Sequence, residues 1–268
     1  MSEPSGGEQM PPVRLAVALR RFVRSSWDHL GLVCAASFTV FGAAVAALAA
    51  ALALVLALGL RGLAASAIAI AVVVPLVVAP LYGGSVIALS RAIGHEETAY
   101  TDVWKSAARV FGRAVALGSV ELGVIVVLGG NVVFYASRGS LPTAVAAAIA
   151  AYALAFWLMC CVYHWPLLAA GDSGAIARDD GRAPGLGAVL RNGVVMAVSA
   201  PGFTLAVLVV LCAVLAVLAA SGVGLALLAP GLAASLCLEA ARHQLVRFGV
   251  LPPPEPEGPA SDEPWRLR

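Results

Sequence analysis

Two ionisable side chains, Glu121 and His164, sit inside apolar stretches of this sequence. An ionisable group at membrane depth is costly enough to be a functional candidate by default. Glu121 follows Arg113, and His164 precedes Asp172, by eight residues each, which puts both about 12 Å along a helix from a charged boundary. At matching depth in antiparallel neighbouring helices, they are expected to face each other or a shared polar pocket. The chemistry open to such a pair is a proton or substrate relay. The plainer alternative is a buried polar pair that fixes hairpin register, with hydrogen bonds of this kind averaging about 0.6 kcal/mol.

Cys160, Cys161 and His164 fall at i, i+1 and i+4, so thiol and imidazole can approach one side of a helix. A metal would need further ligands, for which Glu121 is the obvious candidate. Copper handling is the nearest variant, but no metal or other cofactor is expected. The remaining cysteines, Cys34, Cys212 and Cys237, also lie in apolar runs without CxxC spacing, which argues against a disulfide framework or zinc knuckle. His95 to Glu97 reads as a solvated loop, Asn131 as a helix-packing residue, and Tyr152, Trp157, Tyr163 and Trp165 as packing or interfacial aromatics. Neither a GxxxxGK[ST] phosphate loop nor an HExxH zinc motif is present, and no nucleophile stands beside a recognisable base, so the chain does not read as an enzyme.

The elements that must carry these groups follow from composition. The chain has 268 residues, 61% hydrophobic and only 12% charged, with a mean hydropathy of +0.93. A soluble domain carries roughly 25% charged residues. Too few polar side chains exist to coat a water-soluble globule, and long apolar runs make the bilayer the solvent. The reading is an all-α polytopic membrane protein: six transmembrane helices in a bundle, with amphipathic juxtamembrane helices on the cytoplasmic side. A net charge of +2, with no Lys/Arg cluster interleaved with aromatics, excludes nucleic acid as a partner.

The spans are expected at about 30–58, 63–90, 114–137, 142–170, 201–220 and 223–240, within a membrane domain of 13–249. Residues 1–12 and 250–268 are expected to be disordered tails, rich in Gly, Pro, Ser and Glu. The first two runs approach 30 residues, about 42 Å of helix against a hydrocarbon core of roughly 30 Å, and so must tilt, kink or project. Pro75, Pro80, Pro166 and Pro230 are the candidate kinks. A bend at Pro75 and Pro80 beside Gly83 and Gly84 could line a transporter cavity, although plain packing geometry is the favoured explanation.

Orientation comes from Lys and Arg, which collect on the cytoplasmic side. In the six-span arrangement fifteen of the 17 share one face, among them Arg20, Arg21, Arg24, Lys105, Arg109, Arg113 and Arg191; only Arg61 and Arg138 are opposite. Both termini are thereby expected inside, in a plasma membrane. Two interfacial helices are expected, at about 100–113 and 187–199. In the first, Tyr100, Val103, Trp104, Ala107, Val110 and Phe111 make an apolar stripe while Lys105, Arg109 and Arg113 hold another sector, with Thr101 a plausible N-cap. With the basic entry before span one, these suggest a unit of cytoplasmic helix plus hairpin used three times.

Three stretches resemble the YesL-like family of bacterial multi-pass membrane proteins of unassigned function. They are Ala79-Pro80-Leu81-Tyr82-Gly83-Gly84 through Arg91 with Glu96 to Lys105; Tyr163-His164-Trp165-Pro166-Leu167-Leu168-Ala169; and Gly187-Ala188-Val189-Leu190-Arg191-Asn192. The sequence departs from that pattern at Gly31 to Ala35 and at Pro75 to Pro80. The resemblance implies a helical membrane fold in bacteria and an accessory role beside a sugar transporter complex. The lipid bilayer is the other partner, and the sequence fixes no oligomeric state. A small transporter or channel using Glu121 and His164 is the alternative.

Overall fold

A computed structural model describes residues 15–59, 63–94, 96–174, 176 and 184–252. The expected tails, apart from residues 250–252, lie outside these residues, as do Arg14, Arg61, His95, Arg178 and Arg182. The described residues form helices joined by turns and short loops, with no strand among them. It runs α1 (Leu15–Asp28), α2 (Leu30–Ala57), α3 (Leu63–Val73), a π-helical segment (Val74–Val78), α4 (Ala79–Ile93), α5 (Thr101–Ala136), α6 (Leu141–Asp172), α7 (Leu186–Ser199), α8 (Pro201–Ala220), α9 (Val223–Leu227) and α10 (Ala229–Arg247).

Among the described residues, five helical stretches are long and apolar enough to cross a membrane: Leu30–Ala57, Ala65–Ile93, Thr101–Ala136, Leu141–Asp172 and Pro201–Ala220. The sequence predicts a single sixth span over 223–240; the structure instead divides it at Leu228, whose φ of −128° and ψ of −29° leave the helical region. Pro230 therefore stands in the first turn of α10, where its missing N–H costs nothing. The expected boundary between an interfacial helix at 100–113 and a span from 114 is also absent. Nothing near Ala114 interrupts the hydrogen-bond ladder, so both form one 36-residue helix, α5. Thr101 is not its N-cap. Tyr100 holds that position, and Asp102 reaches back to accept the Ala99 N–H at 2.9 Å.

The other prolines are absorbed locally. Pro75 lies within the π-helical segment, where the Ala79 N–H reaches back to the Val74 carbonyl, and Pro80 follows in the first turn of α4. The wider turn accommodates two residues that cannot donate. Pro166 sits inside α6, which continues through it to Asp172.

Packing is concentrated at the end of the bundle that carries the arginines. Every buried residue of α5 falls between Val103 and Gly118. In α6, Ala150 apart, they run from Cys160 to Gly171. Glycines allow the tight crossings there. A β-carbon at Gly84 would come within 2.7 Å of the Ala107 backbone nitrogen, and one at Gly231 within 2.7 Å of Ser37 Oγ, which itself accepts the Gly231 N–H at 2.7 Å. Toward the other end α5 and α6 expose Val126, Val133, Val145 and Ile149, as helices facing lipid do.

Candidate functional site

The first turns of α5 and the last of α6 run antiparallel, and this sets two polar centres at different depths. The deeper contains both intramembrane candidates. His164 Nδ1 lies 3.0 Å from Glu121 Oε1, and the Trp165 indole N–H donates to Glu121 Oε2 at 2.9 Å. Both carboxylate oxygens are therefore engaged by consecutive residues of α6. His164 is fully buried; Glu121 retains 13% exposure of its side chain.

The imidazole is confined on its other edge. A β-carbon at Gly193 of α7 would stand 2.7 Å from His164 Nε2, and Trp157 packs edge-on against the ring at 5.5 Å. No described residue hydrogen-bonds Nε2. The tautomer that suits this arrangement carries its proton on Nδ1, donates it to Glu121, and leaves only a lone pair facing Gly193.

Glu121, Cys161 and His164 place three ligand atoms within 4.8 Å of one another, a donor set that a borderline metal such as zinc accepts. A metal there would have to replace the Glu121–His164 hydrogen bond. It would also shift the imidazole proton to Nε2, where no described residue accepts it, whereas a ligating histidine usually donates its second N–H to a partner. Hydrogen bonding within the protein suits these side chains better than ligation.

The second centre lies at the Arg-rich end. Asp172, the last residue of α6, has a side chain only 4% exposed and meets three guanidinium groups. Arg109 Nη1 donates to Oδ2 at 3.0 Å, Arg91 Nη2 to the same oxygen at 3.4 Å, and Arg113 Nη2 to Oδ1 at 3.4 Å. Three helices, α4, α5 and α6, are thus tied at one carboxylate. Lys105 pairs instead with Asp102 at 3.3 Å. Arg20, Arg21 and Arg24 lie on α1 and Arg191 on the exposed side of α7, and none of these joins the cluster.

Next to Arg91 a cavity of about 500 Å³ opens between α4, α6 and α10, with Ser90, Ser173, Glu239 and Arg242 in its wall and Pro166 and Leu238 among its apolar lining. Neither Glu121 nor His164 lines it. The sequence reading missed Asp172 as an anchor and Trp165 as a ligand of Glu121. The signal for Asp172 was available, since it is the acidic residue at the end of an apolar run that faces a helix carrying Arg109 and Arg113. For Trp165 and Gly193 the sequence held no sign.

No family model matches this chain, and neither a curated protein nor a solved structure matches it.

Proposed function

We propose that this chain is an accessory or scaffold component of a bacterial plasma membrane, without catalysis of its own, crossing the bilayer six times with both termini cytoplasmic. The observation that carries the reading is the pairing of the deep polar groups with one another. Glu121 is satisfied by His164 and Trp165, and the cavity at the Arg-rich end stops short of them. A transport path needs polar groups that face water or substrate; these face each other across a helix pair. Their effect is to fix the rotation of α5 against α6. The likeness to YesL-like proteins adds the setting, a place beside a sugar transporter complex.

The second reading, a small transporter or channel, draws on the convergence of Glu121, Cys161 and His164 at membrane depth. Crosslinking in intact membranes, with identification of the attached proteins, tests the first reading; flux in proteoliposomes tests the second. A reproducible partner complex with no flux supports the scaffold. Substrate-dependent flux that falls in Glu121→Gln overturns it.

A further inference from the structure

The exposed face of α5 near its start carries two rows of long side chains with small residues between them. Lys105, Arg109 and Arg113 follow one another at i, i+4 and i+8 and form one wall. Trp104 and Phe111, at i and i+7 and each 48% exposed, form the other. Between them the floor is small: Ala108 and Gly112 are exposed, and a β-carbon at Gly112 would meet nothing within 4 Å.

Lys105 is answered by Asp102, but Arg91, Arg109 and Arg113 converge on Asp172. Three guanidiniums thus share one close carboxylate; Arg113 Nη1 is buried without a hydrogen-bond partner, so the donors open to a ligand are those of Arg109 and the rest of the Arg113 guanidinium. The side chains of Arg91, Arg113 and Arg109 are partly exposed, 24%, 32% and 48%, so they are reachable from outside the bundle. Arg109 and Arg113 stand where α5 passes from its basic part into its apolar part.

We propose that this surface binds an anionic phospholipid headgroup, its phosphate held by Arg109 and Arg113 over the small floor of Ala108 and Gly112 and flanked by Trp104 and Phe111, with the acyl chains continuing toward the apolar part of α5. Basic clusters on membrane helices at the cytoplasmic side bind such headgroups. Exposed aromatics belong at the same level. The site is separate from the Glu121 centre and does not depend on the scaffold reading.

The test is native mass spectrometry of the full chain in detergent, titrated with phosphatidylglycerol or phosphatidylcholine of the same chains. The expected result is a preference for phosphatidylglycerol on the order of tenfold. It should be lost in Arg109→Gln/Arg113→Gln and kept in Arg138→Gln at the opposite end. Because the double variant also loosens Asp172, two further variants leave both arginines in place. Gly112→Leu fills the floor and weakens phosphatidylglycerol at unchanged charge. Asp172→Asn raises the local charge and preserves or strengthens the preference. Equal binding of the two lipids, an undiminished preference in Gly112→Leu, or displacement of phosphatidylglycerol by excess inorganic phosphate would overturn the proposal, the last by revealing a phosphate site and not a lipid site.

Discussion

Gly193 of α7 stands so close to His164 of α6 that a β-carbon at 193 would lie 2.7 Å from the imidazole Nε2. The same ring is held at Nδ1 by Glu121. A glycine on one side and a carboxylate on the other thus fix its position, and α7 is held against α6 through a histidine edge.

Gly193→Ala should therefore cost about 1–3 kcal/mol, the usual result of overpacking. In the double variant with His164→Ala the effects should be strongly non-additive, because the truncated side chain vacates the space. Apparent melting temperatures of the four proteins in one detergent check this. Additive losses would place the strain elsewhere.

Glu121→Ala strands two donors, the His164 ring and the Trp165 indole, in a buried setting. A loss of about 1–3 kcal/mol is expected. Glu121→Gln should lose less, since an amide can accept from Trp165 and donate to His164 in its other tautomer. Equal losses in the two variants, read from thermal unfolding, would mean that the carboxylate acts through its charge.

Glycines distinguish packed from lipid-facing helix surface. At Gly84 a methyl group would collide with the Val103 carbonyl and stand 2.7 Å from the Ala107 nitrogen, so Gly84→Ala should part α4 from α5 and lower the melting temperature markedly. At Gly129 it would meet nothing within 4 Å. Gly129→Ala should be neutral, or stabilising by up to about 1 kcal/mol through helix propensity.

Asp172→Asn leaves Arg91, Arg109 and Arg113 with mutual repulsion and no carboxylate. Because the three arginine side chains are partly exposed, the expected cost is modest, about 1 kcal/mol at low salt. Salt screens repulsion, so added salt should stabilise the variant relative to the parent protein. Parallel salt titrations of thermal stability decide it.

The six-span topology predicts that single cysteines replacing Arg138 and Arg247 react from opposite sides of the membrane. Labelling intact cells with an impermeant maleimide, in a background lacking the five native cysteines, should modify position 138 and spare 247. Labelling of both, or of 247 alone, would reverse or break the assigned arrangement.

How much was legible in the sequence differs from one residue to the next. The apolar runs located α2, α6 and α8 to within a few residues, because a long stretch without charge can satisfy its backbone in lipid only as a helix. The depth of Glu121 and His164 was legible too, since rise per residue is fixed. The continuity of α5 and the division at Leu228 were not, because amphipathic and apolar helix join without a local signal and Pro230 marks a break only approximately.

What the tertiary structure alone decided is which face of each helix meets which neighbour. Trp165 reaching Glu121, Gly193 closing over His164, and three arginines from two helices converging on Asp172 all depend on the rotation of each helix about its own axis and on how closely small residues such as Gly84 and Gly231 let backbones approach. Those quantities are set by contacts between distant segments. The sequence determined that the chain is helical and oily and where its charges stand along each helix; only packing determined what those charges touch.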